Sequence, residues 1–201
     1  MVAEVFSWIK TIFVAVVFTI IVTTFFVQPY SVSGSSMEPT LQGIDPKDSS
    51  KVGDRVVVLK SAFLVGNEPS YEDMVIIDSR VDHERSWIDD MMDSPIVGTF
   101  TRDEQDSHVI WIKRVVGLAG DTLEFKDGHV YRNGEMLAEE YIKEEMNFPF
   151  EKVVVPEDSI FVMGDNRNYS SDSREIGPVP VDNVVGKVAF RMYPFNKIGT
   201  F

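Results

Sequence analysis

The chain has 201 residues, enough for one compact domain with a small subdomain and an anchor. It contains no cysteine, which excludes disulfides, thiolate catalysis and Cys-ligated metal sites; its three histidines, His83, His108 and His129, lie too far apart to suggest a ligand set or a Ser-His triad. A net charge of −13 argues against nucleic acid as a partner.

Residues 1–30 contribute nothing to that charge, because Glu4 and Lys10 cancel. The apolar run Thr11 to Val27, extended to Trp8 on one side and Tyr30 on the other, reaches the ~20 residues that span a bilayer as a helix. Trp8 and Tyr30 flank it as interfacial aromatics do. Residues 1–30 therefore read as a short cytoplasmic tail and a transmembrane anchor touching lipid over residues 8–30, with 31–201 as an extracytoplasmic domain. The orientation rests on Lys10 as the flanking cation. A cleaved secretory signal ending near Ser31-Val32-Ser33 is the competing reading; the long apolar core and barely basic start disfavour it.

Next comes Ser33-Gly34-Ser35-Ser36-Met37-Glu38-Pro39-Thr40, a turn-rich segment in which Pro39 restricts Glu38. Such a segment either holds the Ser36 hydroxyl at a cleft rim with backbone N–H groups turned the same way, as acyl transfer requires, or is a plain polar exit from the membrane. Beyond it the pattern is strand-like. Val52 to Leu59, Met74 to Ile77, Val109 to Val116, Lys152 to Val155, Ser159 to Met163 and Val184 to Met192 are β-branched runs bounded by Gly, Pro, Asp or Asn. Residues 78–107 break the pattern as a long acidic insertion around Trp87, Met91 and Met92. It lacks an EF-hand spacing and reads as a solvated loop.

Lys113 lies in Val109-Ile110-Trp111-Ile112-Lys113-Arg114-Val115-Val116, where alternation puts it on the face of Val109, Trp111 and Val115. If that face is buried, its amine loses solvation and becomes available as a neutral base; otherwise the stem packs and the head reaches solvent. Within about 122–155, Asp127-Gly128 and Asn133-Gly134 are type I′ turn dipeptides joining short strands. The fold class expected is all-β: an antiparallel sandwich or partly open barrel with this small β-hairpin subdomain, preceded by one transmembrane helix. No amphipathic helix is evident outside the anchor.

The Ser36 segment, Lys113-Arg114-Val115-Val116-Gly117 with Gly120-Asp121, and Gly164-Asp165-Asn166-Arg167…Ser170-Ser171-Asp172-Ser173-Arg174 together resemble bacterial type I signal peptidases. These are anchored serine endopeptidases of the bacterial cell membrane with a Ser/Lys dyad. The resemblance spans nearly the whole chain apart from the acidic stretch, and Gly34 is similar to the Gram-positive branch, which leaves a second oxyanion-hole donor unassigned. It implies that Ser36 is the nucleophile and Lys113 the general base. By the same resemblance Ser170 orients the lysine amine, Asp172 pairs with Arg174, and Arg114 pairs with Asp165. Met37, Leu41 and Ile112 match the pocket for the small residue before the cut. It further implies exported preproteins as substrates, cut after a small-x-small site, no cofactor, and a monomer. Two alternatives stand beside it: a catalytically idle or narrow-substrate relative serving surface pilus assembly, and a self-cleaving repressor-type Ser/Lys protease, against which the anchor and the lack of a DNA-binding helical domain argue.

Overall fold

The apolar amino-terminal stretch forms one helix, α1 (Val2–Phe25). Its Glu4–Phe25 span holds 22 residues with a mean hydropathy of 2.3, so it is long and apolar enough to cross a membrane. The computed structural model describes residues 1–44, 52–64, 68–101 and 109–201. His108 and the acidic residues Asp103, Glu104 and Asp106 lie outside them. The helix begins and ends earlier than the 8–30 span expected from composition. Gln28 to Tyr30 belong instead to β1 (Val27–Ser31), paired from Val27↔Leu59 to Ser31↔Arg55.

After β1 come β2 (Arg55–Leu59), the single turn α2 (Ser61–Leu64), β3 (Met74–Asp78), the short helices α3 (Trp87–Met92) and α4 (Pro95–Thr101), and β4 (Ile110–Gly117). Then follow β5 (Thr122–Lys126), β6 (His129–Arg132), β7 (Glu135–Met136), β8 (Val153–Val154) and β9 (Ser159–Met163). The chain closes with the turn α5 (Ser173–Ile176), β10 (Val179–Pro180), β11 (Val184–Tyr193) and β12 (Gly199–Thr200).

The main sheet is antiparallel, in the order β1-β2-β11-β3-β4-β9-β10, with β12 added to β11. Register shifts in β11 against both β2 and β3, and in β4 against β9, act as bulges that curl it into a half-barrel. A second sheet, β7-β6-β5-β8, is the expected hairpin subdomain. Its turns carry positive φ at Asp127 and Gly128 and at Asn133 and Gly134, as type I′ geometry demands.

The main sheet is buried on both faces, which is why β3 and β4 show no clean alternation. Met37, Leu41, Val56, Val58, Ile76 and Ile112 pack on one side, and Val75, Ile77, Val115, Ile160 and Val162 on the other. A third cluster, including Val116, Leu123, Val130, Phe161 and Met163, joins the small sheet to the end of β4.

The acidic stretch differs from the solvated loop expected. Its described part holds α3 and α4, and Ser86 N–H donates to Asp89 Oδ2 at 2.8 Å, half of a capping box at the start of α3. Both helices are too short to display a 3.6-residue pattern, so sequence periodicity could not reveal them.

Candidate active site

Lys113 sits in the middle of β4, between β3 (Val75↔Lys113) and β9 (Arg114↔Met163). Coverage by these neighbours leaves it 4% exposed, and the buried reading of this residue is the one realised. Its Nζ donates to Ser36 Oγ at 3.1 Å and lies 5.4 Å from the centre of the Trp111 ring. Burial pulls the amine down to about 8, although the Asp172 charge pushes the other way. At that value about half of the amine is neutral at pH 8 and about a tenth at pH 7, and a neutral amine can accept a hydroxyl proton.

Ser36 is half-buried in the turn that follows β1. Its backbone is fixed from the 164–174 loop: Asn166 N–H donates to Ser36 C=O at 3.0 Å, and Asn166 Nδ2 to Ser35 C=O at 3.0 Å. Gly164 is required here by closeness of approach. A Cβ on it would stand 2.2 Å from Ser170 Oγ and 2.5 Å from Ser36 C=O. Gly34, with φ +74°, turns the chain in a region that glycine adopts freely.

Around this pair the other expected residues divide. Arg114 makes a two-pronged contact with Asp165, Nε to Oδ1 at 2.8 Å and Nη2 to Oδ2 at 2.7 Å. Arg174 does the same to Asp172, at 2.8 Å on each prong. Burial alone would push the Asp172 carboxyl up, but Arg174, the Gly164 N–H and the Ser170 hydroxyl together hold it below the usual range. Ser170 Oγ donates to Asp172 Oδ2 at 2.8 Å; among the described residues it makes no hydrogen bond to the Lys113 amine. Ile112 lines the cleft that contains Ser36 and Lys113. Met37 and Leu41, 1% and 0% exposed, pack in the same core cluster as Ile112.

Four supporting residues were given no role from sequence. Thr40 Oγ1 donates to Asp165 Oδ2, extending the Arg114 brace to the serine segment. Asn166 grips the Ser35–Ser36 backbone. Arg167, inside the same block, donates through Nε to Gly164 C=O at 3.1 Å and pairs with buried Glu139 at 2.6 Å. Glu139 lies between β7 and β8 of the small sheet, so the hairpin subdomain is tied to the loop that holds Ser36. The Gly-Asp-Asn-Arg run signalled a polar scaffold; nothing in sequence paired it with Glu139.

A hydroxyl in contact with a buried, pKa-lowered amine, on a curled antiparallel sheet behind one apolar helix, defines a serine peptidase of the serine–lysine type. The chain belongs to the signal peptidase family, peptidase S26, whose model matches residues 5–193. It is 35% identical to a signal peptidase I of Bacillus licheniformis over 96% of this chain and 91% of that one. Signal peptidase IB of Staphylococcus aureus strain COL is 32% identical over 96% and 92%. The chloroplastic thylakoidal processing peptidase 1 of Arabidopsis thaliana is 32% identical over 94% of this chain and 48% of its own length.

Proposed function

We propose that this protein removes amino-terminal signal peptides from exported preproteins by cutting after a small-x-small site. The observation that carries the mechanism is the 3.1 Å contact between Lys113 Nζ and Ser36 Oγ, made by an amine whose burial favours its neutral form. Neutral Lys113 takes the Ser36 proton as Oγ adds to the scissile carbonyl, and the ammonium then gives that proton to the departing amine, leaving an ester on Ser36. Lys113 next deprotonates a water that adds to the ester carbonyl; the tetrahedral adduct collapses and Ser36 regains its proton. The Ser36 backbone N–H serves as an oxyanion donor in both additions.

Asp165 with Arg114 and Thr40, and Asp172 with Arg174, keep Ser36 and Lys113 in register; Ser170 helps by fixing Asp172, whose charge acts on the lysine. Ile112 faces the residues ahead of the cut. An extended substrate would lie along the cleft between the end of β1 and β4. The active domain would stand outside the membrane with the amino terminus inside, since secretory signal peptides leave the bilayer on that face. One copy suffices, because both dyad residues come from the same chain. With both present and in contact, an idle assembly factor has no supporting feature.

The test is cleavage of a secretory precursor carrying an Ala-x-Ala site by detergent-solubilised protein, with products mapped by mass spectrometry. A cut directly after that site by wild type and none by Ser36→Ala supports the reading. Equal products from both proteins would overturn it.

A further inference from the structure

The described part of the acidic stretch does more than span a gap. Asp93 and Pro95, at the junction of α3 and α4, line the same cleft of about 520 Å³ as Ser36, Lys113 and the β1 segment. We propose that residues 78–101 form the outer wall of the substrate cleft and that Arg85 is the positioning residue that holds this wall in place, a role resting on the peptidase reading above.

Arg85 is the hub. Its side chain is only 3% exposed, and its guanidinium meets Asp78 at 3.2 Å, Asp90 at 2.9 Å and Asp93 at 2.6 Å. Asp78 belongs to β3, so Arg85 joins the main sheet to the second half of α3 and to Asp93, which ends it. Arg80 also pairs with Asp78 and Lys60 with Asp90, so loss of the Arg85 guanidinium leaves each end with a cation of its own and removes the group that links β3 to the α3 end of the wall. Lys60, just past β2 and 3% exposed at its side chain, adds a second tie through Asp90 at 3.2 Å. The insert also reaches the opposite wall. Gln28 of β1 donates from Nε2 to Asp93 C=O at 2.9 Å, joining the two sides of the cleft at one end.

Position says what this end receives. α3 and α4 pack against α1, so the joined end lies beside the anchor. A chain leaving the membrane meets it before reaching Ser36. Gln28 lies on β1, at the end of the cleft away from Ser36 along the strand that an extended substrate would follow, so the wall seats signal-peptide residues ahead of those next to the cut. Among the described residues no insert side chain hydrogen-bonds Ser36 or Lys113, so its effect falls on binding and not on the chemical step.

Two Ala-x-Ala peptides separate this role from general stabilisation when cut by the full chain in detergent: one starting ten residues ahead of the cut and one starting three residues ahead. Arg85→Gln should raise KM for the long peptide about tenfold with kcat within twofold, and move kcat/KM for the short peptide by less than twofold. Pro95→Trp, at an exposed position that does not threaten folding, should narrow the cleft and give the same pattern. Equal losses on both peptides, or a kcat loss at constant KM, would overturn the proposal. If the wild type cuts neither peptide, the peptidase reading itself fails.

Discussion

The proposed role of Lys113 as a base depends on the cover that β3 and β9 give it from either side; the same residue at the rim would keep its proton at working pH. Lys113→Ala and Lys113→Arg are each expected to lower kcat about a thousandfold, the arginine because it does not deprotonate, with far-UV circular dichroism unchanged. Gly164→Ala is a sharper test of geometry. Its methyl would collide with Ser170 Oγ and Ser36 C=O, and a displacement of that order should lower kcat/KM about a hundredfold in a steady-state assay. Leu41→Ala separates core from pocket. Because Leu41 is fully buried among Val56, Ile76 and Ile112, truncation should cost about 3 kcal/mol of stability in denaturant titration while leaving the preference for a small residue before the cut unaltered.

Two loops act as the joints between elements. The 164–174 loop grips the serine turn through Asn166, the β4 arginine through Asp165, and the hairpin subdomain through Arg167 and Glu139. That last pair is buried on both sides, so Glu139→Ala leaves a guanidinium without its counter-charge and should destabilise by about 3–5 kcal/mol, seen as a shift in the urea midpoint. Asp172 adds a pH dependence with a definite sign. Its carboxyl is held below its ordinary 3.8, so its stabilising effect is complete above that value and is lost as pH falls through the lower folded value. The insert is the other joint, linking the β3 end to α3 and α4 beside the anchor.

Across the whole molecule, sequence revealed what is local and concealed what is long-range. The β-branched runs announced β2, β3, β4, β9 and β11 within a few residues, and Asp-Gly and Asn-Gly announced the β5–β6 and β6–β7 turns through their need for positive φ. Val27 to Ser31 was hidden because an apolar run passing from helix into strand offers no change of period at Phe26. Met37 and Leu41 were assigned to the pocket ahead of the cut through motif resemblance; their packing into the core with Val56, Ile76 and Ile112 was not legible in the sequence. Ser36 and Lys113 were proposed through motif resemblance; the burial that lowers the lysine depends on β9, some fifty residues away. The contacts of Asn166 with Ser35 and of Lys113 with Ser36 span 131 and 77 residues, distances over which no spacing pattern operates. The parts meet in one proposal, that Lys113, its proton loosened by burial, draws the proton from Ser36 in its neutral form. The most direct measurement of it is kcat/KM for an Ala-x-Ala peptide as a function of pH. A single rise to a plateau, with a midpoint near the value of about 8 set by burial of Lys113, is the expected result; a profile flat down to pH 5 would contradict it.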